Sequence, residues 1–307
     1  MLTPISYWQR HLGSLFRYGT LRKYVNLAQA YLAYRVGKVI ISSRPAFLRV
    51  EICRYCEVDC LYCYPAKAKL LYPFEAYQRL IDQFRDTCFS VSLYDIGEPL
   101  HNPQVLDYIR YAHQNRMGTV LSSSLSVPRE DAFWKDLASS GLDYLIVAID
   151  GVTPEVYNTY RRNGQLDLVL SNLKQLLAYR SALNSKLVVE WQMIDFPWNR
   201  AEQKQAANMA YQMGCDRFRI IAEATQPRKA YDKTGKIRAR NCLLPYILFF
   251  VTANNEVRLC YKIYHHDMSI GSLSNFTFSE LWNGSEITRV RDRKQIGQRP
   301  GCQKCQE

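Results

Sequence analysis

The sequence predicts an α/β fold, built as a partial (β/α)6 barrel of the TIM type with a basic helical N-terminal extension and a small C-terminal α+β domain. Two observations support this prediction. Six apolar runs alternate with helical patterns between residues 47 and 221, and such alternation is typical of a parallel sheet with right-handed crossovers. Cysteine-rich and polar motifs follow several of these runs, where barrels place their functional residues. The 307 residues are enough to bury a substantial core.

The six predicted strands are short runs rich in branched and aromatic residues. They span 47–52, 89–94, 118–123, 144–149, 187–194 and 217–221. The helices between them show one apolar face each. They span 74–84, 103–115, 129–140, 167–183 and 201–213. We therefore predict three segments, which are a helical extension (1–45), a barrel (46–225) and a C-terminal domain (226–307).

The N-terminal extension is strongly basic within a chain of net charge +12. Its first fifty residues contain no acid and carry the basic residues Arg10, Arg17, Arg22, Lys23, Arg35, Lys38, Arg44 and Arg49. From Thr20 onward the apolar residues have helical spacing, which predicts a helix docked on the main domain by its apolar face. That face comprises Leu21, Tyr24, Val25, Ala28, Tyr31, Leu32 and Val36. The basic face has three interpretations: a solvated surface, a peripheral membrane contact, or a contact with an anionic substrate.

Composition narrows the class of protein. No run of eighteen apolar residues predicts a membrane span, the N-terminus lacks the apolar core of a signal peptide, and no recognised motif predicts a nucleic acid partner. Ten cysteines fall in metal-type triplets and pairs, which favours a reducing, cytoplasmic location. Cys88 and Cys215 lie outside these clusters. Both are interpreted as small core residues. The alternative concerns Cys215, which lies near the start of a late strand and is interpreted as a donor of a hydrogen atom to a substrate radical.

Three closely spaced cysteines follow the first predicted strand. Cys56, Cys60 and Cys63 form the pattern C-x3-C-x2-C. Three thiolates can bind three irons of one [4Fe–4S] cube and leave the fourth iron open. A zinc site is the alternative, although zinc prefers four protein ligands, usually in C-x2-C pairs. Cys53 is interpreted as a small buried residue and not as a fourth ligand.

This cysteine run, with Tyr62 before its last cysteine, resembles the signature of the radical S-adenosylmethionine (SAM) enzymes. The resemblance implies that the open iron binds the amino and carboxylate groups of SAM. An electron from the cluster would then break a sulfur–carbon bond of SAM and release a 5′-deoxyadenosyl radical. After the second strand, Gly97, Glu98 and Pro99 resemble the glycine–glutamate–proline motif with which the family contacts the SAM amino group.

Further strand ends resemble the cofactor contacts of the same family. Ser123 ends the third strand, where the family directs hydrogen-bonding side chains toward SAM. The run 147–151 resembles a fourth-strand pattern usually written Ser-x-Asp-Gly, with Asp150 present and Ala148 in place of the serine. Arg161 and Arg162 are candidates to pair with the SAM carboxylate, and exposed arginines are the alternative.

A second cysteine set lies in the C-terminal region. Its members are Cys242, Cys260, Cys302 and Cys305. Four cysteines with a terminal C-x2-C can hold zinc or a fully ligated [4Fe–4S] cluster, and their spacing alone does not choose between the two. The surrounding segments resemble the auxiliary-cluster extensions of radical SAM enzymes, called SPASM and the shorter twitch. With four cysteines in place of seven, the resemblance implies the one-cluster form.

The resemblance implies a radical SAM oxidoreductase that removes a hydrogen atom from an unreactive C–H bond. The expected reaction is dehydrogenation of a carbohydrate or another small biosynthetic intermediate, with the auxiliary [4Fe–4S] cluster accepting an electron. An external donor such as flavodoxin or ferredoxin would reduce the SAM cluster. The alternative enzyme is a peptide maturase that cross-links or epimerises a ribosomal peptide. The alternative outside enzymes is a zinc-stabilised binding protein.

Overall fold

The computed structural model describes residues 4–63, 67–222, 242–261 and 269–293. The strands in these residues are β1 (Phe47–Val50), β2 (Asp59–Cys60), β3 (Ser90–Ser92), β4 (Gly118–Ser123), β5 (Tyr144–Ala148), β6 (Arg161–Arg162), β7 (Val188–Asp195), β8 (Arg217–Ala222), β9 (Leu248–Val251), β10 (Glu256–Arg258) and β11 (Ser269–Ser272). The helices are α1 (Pro4–Tyr18), α2 (Leu21–Val36), α3 (Phe74–Phe84), α4 (Val105–Gln114), α5 (Asp131–Ser139), α6 (Pro154–Tyr160), α7 (Leu166–Ala182), α8 (Gln203–Met213), α9 (Leu244–Ile247), α10 (Phe278–Trp282) and α11 (Ser285–Arg291). Among the described helices, none combines the length and apolar character required to cross a bilayer.

The predicted partial barrel is confirmed. Six parallel strands run in the order β1-β3-β4-β5-β7-β8, and they correspond to the six predicted runs with ends shifted by a few residues. Successive side chains along a strand point to opposite faces of the sheet. On β7, Val189, Trp191 and Met193 pack in the main core, so Glu190 and Gln192 face the lumen of the barrel.

The C-terminal strands continue the same sheet. Strand β9 pairs in parallel with β1, with Phe47 opposite Leu248 and Val50 opposite Val251, and β10 and β11 follow in antiparallel order. The boundary predicted at residue 226 lies outside the described residues and stays a prediction. Helices α10 and α11 complete the predicted small α+β region, where Trp282 donates to the Ser43 carbonyl at 2.8 Å.

The N-terminal helices cover the amino ends of the parallel strands. The Lys23 ammonium donates to the carbonyl of Arg116, just before β4, at 2.7 Å. Asn26 exchanges two hydrogen bonds with the backbone of Arg44, just before β1. The ring of Tyr34 packs edge-on against Tyr246, just before β9. Because each of these partners precedes a strand, α2 lies across the amino-end rim of the sheet.

The predicted docking face of the second helix is wrong. Leu21, Leu32 and Val36 are exposed, whereas the buried residues of α2 are Lys23, Asn26, Ala30 and Ala33. The helix is where the periodicity predicts it, from Thr20 as N-cap to Gly37 as a left-handed C-cap. The surface beneath α2 presents backbone carbonyls, so the helix contacts it with hydrogen-bond donors and small side chains.

Helix α1 closes the amino end of the lumen. Arg10 donates from Nε to Glu190 at 3.2 Å and also bonds Gln192. Glu190 is fully buried and accepts further hydrogen bonds from Tyr144 at 2.7 Å and Arg219 at 2.9 Å. Glu190 and Gln192 therefore both face the lumen, where both bond Arg10 of α1. Arg10, on α1, thus uses part of the N-terminal basic charge inside the protein, whereas the interpretations of the basic face of α2 stay predictions.

Candidate active site

The cysteine loop, residues 53–63, leaves β1 at the carboxyl end of the barrel and is held from three sides. On one side Cys53 forms a bridge with Leu71. On the second side β2, within the loop, pairs antiparallel with β6. On the third side the Glu98 amide donates to the Tyr55 carbonyl at 2.7 Å. The loop is therefore a supported structure and the position of its thiols is set by the barrel.

Cys56 and Cys60 are half-buried and Cys63 is exposed, so one side of the triad is open to solvent. None of the described cysteines forms a disulfide. Burial raises the pKa of the Cys56 and Cys60 thiols, so loading of iron would release protons. In the described part of the chain, no three Cys, His, Asp or Glu side chains converge as ligands of one metal ion. A soft donor set that is spread along an open loop fits a [4Fe–4S] cube, because each thiolate there binds a different iron.

Gly97 lies against the cysteine loop so closely that no side chain fits. A Cβ at this position would come within 2.3 Å of the Cys53 carbonyl oxygen and 2.8 Å of the Tyr55 amide nitrogen. Both neighbours are backbone atoms of the loop and cannot rotate away. The predicted glycine therefore has a structural reason: it lets the segment after β3 approach the cysteine loop.

Glu98 is buried and joins this segment to the end of β4. Its carboxylate accepts from the Leu100 amide at 3.1 Å and from the amide and hydroxyl of Ser124, both at 2.7 Å. Burial raises the pKa of Glu98, although the hydrogen bonds from Ser124 oppose the shift. Pro99 begins a buried 3-10 turn, Pro99–His101. At the same rim, the Ser123 hydroxyl accepts from the Leu125 amide at 2.8 Å.

Asp150 and Arg161 form a buried ion pair beside the cysteine loop. Arg161 Nε lies 2.7 Å from Asp150 Oδ2, and Arg161 Nη1 lies 3.9 Å from Cys60 Sγ. Asp150 also accepts from the Ile194 amide at 2.7 Å. The alternative of an exposed Arg161 is wrong, because this side chain is buried. Its charge is instead held next to a predicted cluster ligand.

Removing one member of this pair is expected to leave a buried charge without its partner. We expect Asp150→Ala to lower the free energy of unfolding by about 3–5 kcal/mol, measured by urea denaturation under anaerobic conditions. Glu286→Ala, which breaks the exposed pair between Glu286 and Arg289, is the matched control, with an expected loss of about 0.5 kcal/mol or less. Equal losses for the two variants would contradict a structural role of Asp150 in holding Arg161.

Three site residues were not predicted from the sequence. Glu57, between the first two cysteines of the triad, pairs with His101 and accepts from the Ser126 hydroxyl. Burial opposes ionisation of Glu57, but these two hydrogen bonds hold its pKa below the usual value. The position of Glu57 inside the cysteine motif was the one available signal.

Tyr62, a residue predicted from the sequence, is half-exposed. The centre of its ring lies 6.0 Å from that of the Phe196 ring.

Cys215 is placed away from this rim. It precedes β8, so it lies at the amino end of the barrel, and it is buried in the main core. Burial raises the pKa of its thiol to about 12. The interpretation of Cys215 as a hydrogen-atom donor is therefore corrected: its position is that of a core residue. Cys88 is also buried, and its thiol donates to the Pro45 carbonyl at 2.9 Å.

Two of the four C-terminal cysteines lie within the described residues. Cys242 and Cys260 are half-buried against the main core, whereas Cys302 and Cys305 lie outside the described residues. Cys260 follows β10, and its neighbour Tyr261 packs on the guanidinium of Arg49, 4.2 Å from guanidinium carbon to ring centre. Because Arg49 belongs to β1, this contact brings Cys260 close to the barrel.

Comparison with family models gives two matches. The model of the radical SAM superfamily matches residues 50–186, and a model described as a SPASM iron–sulfur cluster-binding domain matches residues 242–306. Among curated proteins, the GTP 3′,8-cyclase of Limosilactobacillus fermentum (strain NBRC 3956 / LMG 18251) is 26% identical over 151 residues. That match covers 46% of this chain and 43% of the cyclase, so the chain aligns with less than half of that relative.

Similar solved structures share the fold. Streptococcus suis SuiB bound to the precursor peptide SuiA has a TM-score of 0.67 at 12% identity, covering 86% of this chain and 70% of SuiB. BtrN in complex with AdoMet and 2-DOIA has a TM-score of 0.53 at 15% identity, and the match covers 86% of this chain and 94% of BtrN. Tagged anSMEcpe with bound AdoMet has a TM-score of 0.58 at 12% identity, and the match covers 86% of this chain and 84% of anSMEcpe. At these identities the likeness concerns the fold alone.

Proposed function

Because the chain is a member of the radical SAM superfamily with a C-terminal SPASM iron–sulfur cluster-binding domain, we propose that it dehydrogenates a small polar substrate. The two domains imply a [4Fe–4S] cluster that binds SAM and an auxiliary iron–sulfur cluster. The observation that carries the proposal is the meeting of three elements at one rim of the barrel. These are the cysteine loop, the segment at Gly97 and the pair of Asp150 with Arg161.

In this proposal Cys56, Cys60 and Cys63 hold the SAM cluster. The cluster and SAM, when bound there, would supply the electron and the radical chemistry that removes a hydrogen atom from the substrate. The charge of Arg161 beside Cys60 is suited to offset the negative charge of thiolate ligands. Because Arg161 is already paired with Asp150, its proposed contact with the SAM carboxylate would share the guanidinium between two anions.

SAM is proposed to lie along the segment from Gly97 to Pro99 and the end of β4 at Ser123. The buried carboxylate of Glu98 accepts three hydrogen bonds within the protein. Its side chain therefore orients the segment, and the backbone carbonyls around Gly97 are the proposed acceptors for the SAM ammonium. Tyr62, at the mouth of the site, is proposed to shield the cofactor from solvent.

A polar substrate is supported by the side chains near the mouth of the lumen. Arg49 on β1 is buried, pairs with Asp95 at 3.3 Å and packs between the rings of Tyr94 and Tyr261. Glu190 and Gln192 lie deeper, on β7. The Arg49 guanidinium suits hydroxyl or phosphate groups better than an apolar ligand, whereas Glu190 and Gln192 are already bonded to Arg10. Hence a carbohydrate or another small biosynthetic intermediate is the proposed substrate class.

The second cysteine set is proposed to hold the auxiliary cluster as an electron acceptor. Cys242, Cys260, Cys302 and Cys305 would be its ligands, and the contact of Tyr261 with Arg49 supports its closeness to the lumen. A flavodoxin- or ferredoxin-like protein is the proposed external donor. Peptide maturation is the alternative reaction, since similar structures of SuiB and anSMEcpe hold the peptides SuiA and Cp18Cys. Incubation with sugar and peptide candidates, with 5′-deoxyadenosine formation as readout, would distinguish the two substrate classes.

We expect Cys260→Ala to separate the two clusters. The variant should lose the auxiliary cluster and substrate turnover, but it should keep most of the SAM cleavage that occurs without substrate, because the first triad is intact. Iron per chain should fall from about eight to about four, measured after anaerobic reconstitution. Cys215→Ala, at a core cysteine outside both sets, should retain iron and turnover. Full turnover in a Cys260→Ala protein that lacks the auxiliary iron would contradict the role of the auxiliary cluster as electron acceptor. Tightly bound zinc without iron in the wild type would contradict the proposal that the protein is a radical SAM enzyme.

A further inference from the structure

Helix α2 presents a continuous apolar stripe to solvent. We define the apolar stripe as Leu21, Val25, Ala28, Leu32 and Val36. These residues are three or four positions apart, so they share one face of the helix over about 22 Å. Leu21 is 80% exposed, Leu32 61% and Val36 75%. The side chains of Phe16, before the helix, and Ile40, after it, are also exposed.

The apolar stripe has no role in holding α2 on the barrel. The opposite face does this, through Lys23, Asn26, Ala30 and Ala33. An isolated exposed leucine needs no explanation, but an exposed row of aliphatic side chains along a whole helix indicates an interaction surface. The stripe is convex, because it lies on the outer side of one helix, so it fits a broad soft surface better than it fits a small ligand.

The charge around the apolar stripe favours an anionic partner. No acid occurs in residues 1–50, and the exposed basic residues Arg22, Arg35 and Lys38 lie beside the stripe or just beyond its end. Arg22 keeps a 75% exposed side chain even though it pairs with Asp86. Long basic side chains can lay their apolar stems along such a stripe and extend their charges toward phosphate groups. The half-exposed rings of Tyr24 and Tyr31 on the same helix suit the interface between lipid and water.

We propose that the apolar stripe rests in the headgroup layer of an anionic lipid membrane, as a peripheral contact. This proposal goes beyond the reaction proposed above and does not depend on it. A second copy of this chain is a poorer occupant, because a symmetric pairing of the stripe would bring two acid-free basic segments together. Apolar area and basic charge together are what interfacial helices use to bind such surfaces.

The position of α2 determines what such a contact would do. The helix lies across the amino-end rim, as shown by the bonds of Lys23 to Arg116 and of Asn26 to Arg44. The cysteine loop lies at the carboxyl end of the same strands. Membrane contact through the stripe would therefore hold the enzyme at the lipid surface while its active site opens toward the aqueous phase.

The first experiment measures binding of the full chain to vesicles. We expect cosedimentation with vesicles of phosphatidylcholine and phosphatidylglycerol (7:3) and at least tenfold weaker binding to phosphatidylcholine alone. The stripe variant, with Leu21, Val25, Leu32 and Val36 all changed to Ser, should bind the anionic vesicles at least tenfold more weakly. Since these side chains are exposed, the variant should fold. The control variant changes Leu183, Tyr211 and Phe276, which are exposed elsewhere, to Ser and should bind like the wild type.

The second experiment tests charge and insertion separately. Replacing Arg22, Arg35 and Lys38 by Gln should weaken binding to the anionic vesicles about tenfold at 0.1 M salt, because basic groups near the surface attract anionic lipid. The difference should shrink as salt rises. In a Leu32→Trp protein, differential quenching by brominated lipid should show that this position enters the headgroup layer. SAM cleavage without vesicles should be unchanged in every variant.

Four outcomes would overturn the proposal. The first is absence of binding to the anionic vesicles. The second is equal binding by the wild type and the stripe variant, and the third is binding without quenching at position 32. The fourth is a wild-type dimer that becomes a monomer in the stripe variant by light scattering, since a second copy would then cover the stripe.

Discussion

Replacing Cys56, Cys60 and Cys63 together by Ala is expected to abolish 5′-deoxyadenosine formation by the dithionite-reduced protein. The three thiolates are the proposed ligands of the SAM cluster, and alanine has no atom that can bind iron in their place. The C-terminal cysteines are unchanged, so about four irons per chain should remain. The measurements are iron content and product formation after anaerobic reconstitution.

Cys53→Ala is the matched control for the triad. Cys53 lies in the same loop, but it is buried and its thiol is directed at the Tyr55 carbonyl, 3.8 Å away. This variant should keep both the iron and SAM cleavage. If the triple variant still formed 5′-deoxyadenosine at the wild-type rate, the cysteine loop would not be the cluster site.

Gly97→Ala is expected to reduce SAM cleavage about a hundredfold. The added methyl group would meet the Cys53 carbonyl at 2.3 Å and the Tyr55 amide at 2.8 Å, so the two loops would have to separate. Separation breaks the hydrogen bond from Glu98 to Tyr55 and displaces SAM relative to the cluster. A misplacement of about 1 Å is enough for a loss of this size. The measurements are SAM affinity and the rate of 5′-deoxyadenosine formation, at equal iron content.

Gly13→Ala provides the corresponding control. Gly13 lies within α1, and a Cβ there would meet no atom within 4 Å. Alanine should therefore leave activity unchanged and stabilise the helix by about 0.5–1 kcal/mol. A Gly97→Ala protein as active as Gly13→Ala would show that close approach of the two loops is not needed.

The parallel strands were predictable because apolar runs alternate with amphipathic helical patterns along the sequence. The cysteine run likewise carried the resemblance to the radical SAM superfamily, whose family model matches residues 50–186. Helix α2 shows where such reasoning fails. The period of its apolar residues is correct, but periodicity alone does not say which side faces the protein. Lys23 and Asn26 find backbone partners at the barrel rim, and hydrogen bonds of that kind leave no trace in a hydrophobic pattern.

Contacts between distant residues were the other unpredictable part. Glu57 looked like an ordinary charge inside the cysteine motif, and its partners His101 and Ser126 come from two later loops. The ion pair of Arg161 with Asp150 depends on a two-residue strand, β6, which is too short to have a sequence pattern. Similarly, nothing in Leu248–Val251 indicates which barrel strand it pairs with, and it could be assigned to β1 only from the structure.

The pairing of β1 with β9 determines when the sheet can be completed during synthesis of the chain. Phe47 and its partner Leu248 are separated by 201 residues, which takes about 10–40 s to translate at usual elongation rates. During that time the strand that leads into the cysteine loop has one edge without its final neighbour. An unpaired strand edge invites association with other chains. Until β9 has left the ribosome, this edge of the nascent barrel is therefore open to pairing with other chains.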